Sequence, residues 1–145
     1  MARLVDQCQR YEDLLYFLRP LIKEKSCHFS LEERNLLSVC FKNIVENPRN
    51  TLRIITAFEQ NPKNEDMMPV LTAYKERISQ DLIKTCHEIV DLIKPDTLKI
   101  SGEVEERGFF LKMAADYYRY IALASISEAI KEQAAHHAVQ YYKEA

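Results

Sequence analysis

Apolar residues recur every three or four positions along nearly the whole chain, which is the period of an α-helix. The clearest stretch contains three adjacent pairs that repeat every four residues: Leu36/Leu37, Cys40/Phe41 and Ile44/Val45. These pairs predict one wide stripe that faces the core. The chain has no strand-like alternation of useful length, no internal repeat and no low-complexity tract. The pattern therefore predicts an all-α protein.

Capping residues place the helix boundaries. Ser30-x-x-Glu33 and Ser125-x-x-Glu128 both have the spacing of a capping box, so each predicts the start of a helix. The predicted helices cover about residues 3–10, Tyr11 to about Lys25, the segment opened by Ser30, about Val70 to Ile93, Glu105–Ala124, and the chain from Ser125 to its end.

Prolines and polar residues predict the interruptions. Pro20 should kink the helix that starts at Tyr11 or mark its entry, and Pro48 should bend the next helix before Arg49. The stretch Asn61–Pro69 is rich in Asn, Pro and charge and predicts a loop. Residues 95–103 predict a second loop.

Length, composition and charge limit the classes of function. The 145 residues predict one domain, residues 1–145, and 47% hydrophobic with 29% charged residues are typical of a soluble helical protein. No apolar run approaches the roughly 20 residues of a membrane span, and the first ten residues lack the apolar segment of a signal peptide. We therefore expect a cytoplasmic protein, which can also be nuclear. A net charge of −2 argues against general nucleic-acid binding, so any basic site must be local.

Neither a metal site nor an enzyme is expected. The four cysteines Cys8, Cys27, Cys40 and Cys86 show no C-x-x-C spacing, and in a reducing compartment they should be free thiols. In the adjacent pairs Cys27-His28 and Cys86-His87, the two side chains do not face one another on a helix, so neither pair can readily chelate a metal. We also expect no cofactor. A Gly-rich phosphate loop, H-E-x-x-H and a nucleophile elbow are all missing. A hydrolase activity that depends on His87 or His136 is the remaining enzyme hypothesis.

Two helical stripes carry residues that can bind an anion. Lys112, Asp116, Arg119 and Tyr120 fall at i, i+4, i+7 and i+8 on one face, and Lys42, Arg49 and Arg53 follow one another at spacings of seven and four. Arg offers a planar fork of donors, Lys a point charge and Tyr one hydroxyl. Charged residues also cover ordinary solvated helix faces, so the spacing alone leaves both a phosphate site and a plain surface open. Core packing is expected for Tyr117 or Tyr118, while Tyr120 keeps the role of a ligand.

The chain resembles the 14-3-3 protein family in two long motifs. The segment from Glu32 to Asn43 is similar to the family's signature, and so is Leu111-Lys112-Met113 followed by Asp116-Tyr117-Tyr118-Arg119-Tyr120. Arg10-Tyr11-Glu12-Asp13 matches the start of the family's second helix. The resemblance implies an antiparallel helical bundle, equivalent to about the first six of the family's nine helices. It also implies a dimeric adaptor that binds phosphoserine or phosphothreonine segments of client proteins in signalling.

The resemblance implies a set of phosphate ligands, carried over residue by residue: Lys42, Arg49, Arg119 and Tyr120. Arg53, Lys112 and Asp116 would support them, with the Asp116 carboxylate orienting the guanidinium of Arg119. A phosphate brings about −1.5 to −2 charges and three acceptor oxygens. An unphosphorylated serine would leave these cations clustered and unpaired, so such a site would discriminate by charge.

The resemblance also implies a dimer in which the first helices of one subunit pack on the fourth helix of the other. It places Leu4, Cys8, Arg10 and Asp13 opposite Tyr74, Arg77 and Asp81. Asp13 would pair with Arg77, and Arg10 with Asp81. Exposed pairs of this kind contribute roughly 0–1 kcal/mol each and set the register, while the apolar residues supply most of the affinity.

Several positions depart from the family's pattern. Leu52 stands where the family has Trp, Ala114-Ala115 where it has Lys-Gly, and Leu123 where an acidic residue is expected. The chain also matches only as far as the early part of the sixth helix. Helices seven to nine would hold the asparagines that grip the peptide backbone and the apolar wall of the groove. The alternative hypothesis is therefore a dimerisation module, pairing with itself or with another family member, that binds phosphopeptide poorly.

Overall fold

A computed structural model describes residues 11–25, 29–94 and 104–145, which form five α-helices and no strand within those ranges. The helices are α1 (Tyr11–Lys25), α2 (Leu31–Glu59), α3 (Met68–Ile93), α4 (Val104–Ala124) and α5 (Glu128–Glu144), and a 3-10 turn (Pro62–Met67) joins α2 to α3. The all-α prediction is confirmed. The helix predicted at residues 3–10 and the loop predicted at residues 95–103 lie outside the described residues.

Helix α2 begins as predicted with a complete capping box. The Glu33 amide donates to the Ser30 hydroxyl oxygen at 3.2 Å, and the Ser30 amide donates to the Glu33 carboxylate at 2.8 Å. These two bonds satisfy donors that the first helical turn leaves unpaired. The predicted core stripe is narrower than expected, because Leu36 is 44% exposed. The buried members of the three pairs are Leu37, Cys40, Phe41, Ile44 and Val45.

Two prolines lie inside continuous helices. Pro20 lies within α1, so the prediction that it could mark a helix entry is wrong. Helix α2 continues through Pro48 to Glu59, and the predicted bend there stays a prediction. A proline inside a helix removes one backbone donor, and packing of the surrounding turns can offset that loss.

The segment predicted as the loop Asn61–Pro69 is partly helical. The Asn61 side chain accepts a hydrogen bond from the Lys63 amide at 3.1 Å and caps the 3-10 turn. Helix α3 then starts at Met68 and not at Val70, with Pro69 in its first turn. Proline is tolerated there because the first-turn amides have no intrahelical acceptor.

The capping box predicted for the last helix is also wrong. The N-cap of α5 is Ser127, and its side chain makes no capping hydrogen bond. The Ser125 hydroxyl instead donates to the Ser127 carbonyl at 3.1 Å. Ser125 is therefore used within the link between α4 and α5, and the helix starts two residues later than its spacing predicted.

Helix α4 forms the centre of the bundle. It packs against α3 on one side and α5 on the other, while α2 packs mainly against α3. Its start is tied to the residues before α2, since the Phe29 amide donates to the buried Glu106 carboxylate at 2.8 Å. Its end is tied to α3 by the buried hydroxyl of Ser79, which donates to the Ala124 carbonyl. These contacts fix the helix that carries Arg119 and Tyr120.

Candidate functional site

Arg49, Arg119 and Tyr120 meet where α2 passes α4. The guanidinium carbon of Arg49 lies 3.9 Å from the centre of the Tyr120 ring, and that of Arg119 lies 5.3 Å from it. Both distances fall within the roughly 6 Å of a cation–π contact. Tyr120 in turn packs edge-on against Tyr117, with ring centres 5.4 Å apart. The phenol ring thus holds two guanidinium groups, from different helices, close together.

The Asp116 carboxylate partly balances this positive charge. Its Oδ1 lies 3.8 Å from Nη2 of Arg119, one helical turn away. The same oxygen accepts a hydrogen bond from the hydroxyl of Tyr142 on α5. Arg119 remains 53% exposed by side chain, so this ion pair leaves much of the guanidinium facing solvent. No second carboxylate among the described residues forms an ion pair with Arg119.

Tyr142 is a member of this cluster that the sequence analysis missed. Burial, followed by the hydrogen bond to Asp116, raises the pKa of Tyr142 to about 12. The phenol therefore stays protonated and keeps donating to the carboxylate at neutral pH. No local motif points to this contact, because 26 residues separate its partners. It arises only when α5 packs back along α4.

The two predicted lysines lie apart from this cluster. Lys42 on α2 and Lys112 on α4 are both exposed, and neither makes a hydrogen bond or ion pair within the described parts of the chain. Lys42 lies about two helical turns before Arg49. Contact between Lys42 and the other predicted ligands therefore requires an anion between them or a change of rotamer.

A groove of about 700 Å³ extends from Arg49 and Tyr120 along the second half of α2. Helix α2 forms one wall, the link from α4 to α5 forms the other, and Leu82 of α3 contributes apolar surface between them. The groove is lined by Arg49, Leu52, Arg53, Thr56, Ala57, Gln60, Lys75, Leu82, Tyr120, Leu123, Ala124, Ser125, Ile126 and Lys131. Arg53 therefore lies in the groove.

The interior behind Arg49 is closed and apolar. Burial raises the pKa of the Cys86 thiol to about 12 and also raises the pKa of the Tyr117 hydroxyl, and the charge of Arg49 lowers both values slightly. Arg49 therefore lies near enough to these buried groups to affect their pKa values, and it also lines the groove. Core packing is predicted for Tyr117 or Tyr118, and both are buried, at 4% and 7% exposure.

The residues predicted for the dimer contact are only partly described. Tyr74, Arg77 and Asp81 are exposed along one face of α3, and Asp13 is half-buried on α1. The other three predicted residues, Leu4, Cys8 and Arg10, lie outside the described residues. Exposed apolar side chains accompany them on both helices: Tyr16 at 74%, Leu21 at 52% and Val70 at 66%.

Two of the histidines in the described ranges, His87 and His137, contact an aromatic ring. His137 stacks on Tyr118 with ring centres 5.0 Å apart, and His87 contacts the same ring edge-on at 6.5 Å. Among the described residues, no group of three or more His, Cys, Asp or Glu side chains has an arrangement that could hold a metal ion. Within the same ranges, no helix is long and apolar enough to cross a membrane.

Comparison with known proteins gives one consistent result. The family model described as "14-3-3 protein" matches residues 1–145. "14-3-3 protein 2" of Entamoeba histolytica is 35% identical over 137 residues, which cover 92% of this chain and 57% of that protein. A "14-3-3-like protein" of Solanum tuberosum is 34% identical over all of this chain and 57% of its own length. "14-3-3-like protein GF14-12" of Zea mays is 36% identical over 97% of this chain and 56% of its own length. The chain spans a little over half the length of these curated relatives.

Proposed function

Because this chain belongs to the 14-3-3 family, we propose that it is a non-enzymatic adaptor that binds phosphoserine or phosphothreonine segments of client proteins. The observation that carries the proposal is the pair of guanidinium groups, Arg49 and Arg119, that share the ring of Tyr120. Two like charges held this close favour an anion that can contact both. Only one of them, Arg119, has a carboxylate partner in the described residues.

The donors around the Tyr120 ring match the needs of a phosphate. Each guanidinium can donate two parallel hydrogen bonds to phosphate oxygens, and the Tyr120 hydroxyl adds one donor. Lys42 supplies a point charge from the preceding turns of α2. A neutral serine hydroxyl carries no charge that could balance these cations. The discrimination between phosphorylated and unphosphorylated segments therefore rests on charge.

The proposal is tested with a pair of short fluorescent peptides that differ only in phosphorylation of one serine. We expect fluorescence anisotropy to show binding of the phosphorylated peptide alone. Arg119→Ala should weaken that binding about tenfold or more, because a charge-assisted hydrogen bond contributes roughly 1.5–3 kcal/mol. Arg107→Ala removes an exposed arginine of the same helix outside the groove and should leave binding unchanged.

Two results would overturn the proposal: equal affinity for both peptides, or an Arg119→Ala variant that binds as tightly as the unaltered protein. Either would favour the dimerisation module as the remaining hypothesis. High salt should weaken the specific binding, since screening acts most strongly on exposed charges.

Dimerisation is the second part of the proposed function. It is supported by the exposed apolar side chains on α1 and on the start of α3, among them Tyr16 and Val70. Arg77→Asp should weaken association, and a second change, Asp13→Lys, should restore part of it if the two charges pair across the interface. Analytical ultracentrifugation measures the association. A monomer at every concentration would contradict the proposed dimer.

A further inference from the structure

Among the described residues, the lining of the groove beyond Tyr120 contains basic side chains and no carboxylate. The four charged residues in this part of the lining are Arg49, Arg53, Lys75 and Lys131. The opposite wall contributes Leu123 and Ile126, which are 71% and 56% exposed. A charged binding partner would therefore meet only positive charge inside this groove.

Two of the four cations are already neutralised from outside the groove. Lys75 forms an ion pair with Glu59 at 2.8 Å, and Lys131 forms one with Glu128 at 3.2 Å. Their charges are balanced before any ligand binds. The net positive charge of the groove is therefore concentrated on Arg49 and Arg53.

Arg53 lies outside the pair of guanidinium groups at the Tyr120 ring, although the family resemblance places it among the supporting residues. It is exposed, and it makes no hydrogen bond or ion pair within the described ranges. Helix α2 separates it from Arg49 by one turn, or about 6 Å along the axis. Thr56 and Gln60 follow it along the same wall and add polar groups.

We propose that Arg53 forms a second anion subsite, which selects clients carrying an acidic group near the phosphorylated residue. This proposal rests on the phosphopeptide function proposed above. An extended peptide advances about 3.3–3.6 Å per residue, so a 6 Å step corresponds to two residues. The preferred ligand is a segment with a carboxylate or a second phosphate two residues from the first phosphate. A basic residue at that position is disfavoured, because the groove offers it no carboxylate.

Leu123 contributes to this preference. Leucine at this position lines the same groove as Arg53 and brings no carboxylate to it. The Arg53 guanidinium therefore has no competitor at position 123 for a ligand's negative charge. Leu123 takes no part in the contacts that hold Arg49 and Arg119 at the Tyr120 ring.

The test uses one phosphoserine peptide in four versions, with Ala, Asp, phosphoserine or Arg placed two residues away. Each version is made twice, with the varied residue either two positions before or two positions after the central phosphoserine. We expect the Asp version to bind about two- to fivefold more tightly than the Ala version, as an exposed ion pair allows, and the Arg version to bind more weakly. The doubly phosphorylated version should bind most tightly because it carries more charge.

Arg53→Gln should abolish this ranking, so that the Ala, Asp and Arg versions bind with similar affinity. Arg107→Gln serves as the matched control and should keep the ranking. Leu123→Glu should weaken the ranking, because it brings a carboxylate into the lining that Arg53 shares. Retained discrimination in Arg53→Gln, or equal binding of the Asp and Arg versions, would overturn this inference alone. Failure of every phosphorylated version to bind would overturn both this inference and the proposed function.

Discussion

Helices α2 and α4 supply opposite sides of the same site, and they hold their charged residues differently. On α4, Arg119 has Asp116 as a partner, and Asp116 is itself held by Tyr142 from α5. On α2, Arg49 lies against the ring of Tyr120, while Lys42 and Arg53 have no partner in the described ranges. One helix presents a connected cluster, and the other presents mainly free cations.

The two helices also differ in how deeply they are buried. Helix α4 packs on both α3 and α5, and most of its central residues are buried. The second half of α2 is far more open, with Ile54 and Phe58 about half exposed. Arg119 and Tyr120 therefore lie on the more closely packed helix, while Arg53 lies on the open half of α2. In the proposed site both helices contact the phosphate, and the open half of α2 supplies the proposed selectivity.

The largest expected effect comes from breaking the packing of α4. Ile121 is fully buried one residue after Tyr120, and Ile121→Ala should lower the free energy of unfolding by about 2–5 kcal/mol. Leu123→Ala on the same helix is the control, because Leu123 is 71% exposed and its truncation should change stability by no more than about 0.5 kcal/mol. Urea denaturation followed by circular dichroism measures both. Similar losses for the two variants would contradict the buried role of α4.

The second effect comes from removing the contact between the helices. Arg49→Ala should reduce phosphopeptide affinity about tenfold or more, since its guanidinium both donates to the phosphate and packs on Tyr120. Arg49→Lys should recover only part of that loss, because an ammonium group cannot reproduce the planar fork. Anisotropy titrations measure both variants. An Arg49→Lys variant that binds like the unaltered protein would show that the charge alone matters.

The sequence predicts the elements of this site better than its contacts. The helical period and the capping box at Ser30 correctly place α2, and the motif around Arg119 lies within a helix with nearly the predicted bounds. The family resemblance brings Arg49, Arg119 and Tyr120 into one proposed site, and the structure places these three together. The helix predictions succeed because helix period and local caps depend on neighbouring residues, and the role of the three residues as phosphate ligands stays a prediction.

One error arises where a local signal has another partner nearby, and two contacts were missed because their partners lie far apart in the sequence. Ser125 and Glu128 have capping-box spacing, yet the Ser125 hydroxyl bonds to the Ser127 carbonyl in the link between α4 and α5. Tyr142 has no local motif at all, and its contact with Asp116 depends on the packing of α5. Likewise, the pairing of Lys75 with Glu59, which sets the charge of the groove, joins two different helices. The last two contacts depend on how neighbouring helices are aligned, and a single sequence does not reveal that alignment.

A smaller effect is expected from Tyr142, which sharpens the description of the α4 cluster. Tyr142→Phe removes the donor to Asp116, so the carboxylate should attract Arg119 more strongly and lower phosphopeptide affinity by about two- to threefold. Tyr16→Phe, an exposed tyrosine on α1, is the control. The raised pKa of Tyr142 means that its contribution to stability is present below pH 10 and is lost as pH rises toward 12. Unchanged affinity in Tyr142→Phe would show that Asp116 orients Arg119 without it.

The smallest expected effect concerns Cys86 on α3, whose thiol should resist alkylation in the folded protein. Because burial raises the thiol pKa to about 12, only about one thiol in a thousand is ionised at pH 9, and the group is fully enclosed. Iodoacetamide at pH 8.5 should leave the peptide containing Cys86 unmodified in the folded protein and modify it fully in denaturant. Peptide mapping by mass spectrometry measures this. The neutral thiol contributes to stability below pH 9, and that contribution is lost as pH rises toward 12. Rapid alkylation of Cys86 in the native state would contradict this expectation, because it would show that the interior behind Arg49 opens to the reagent.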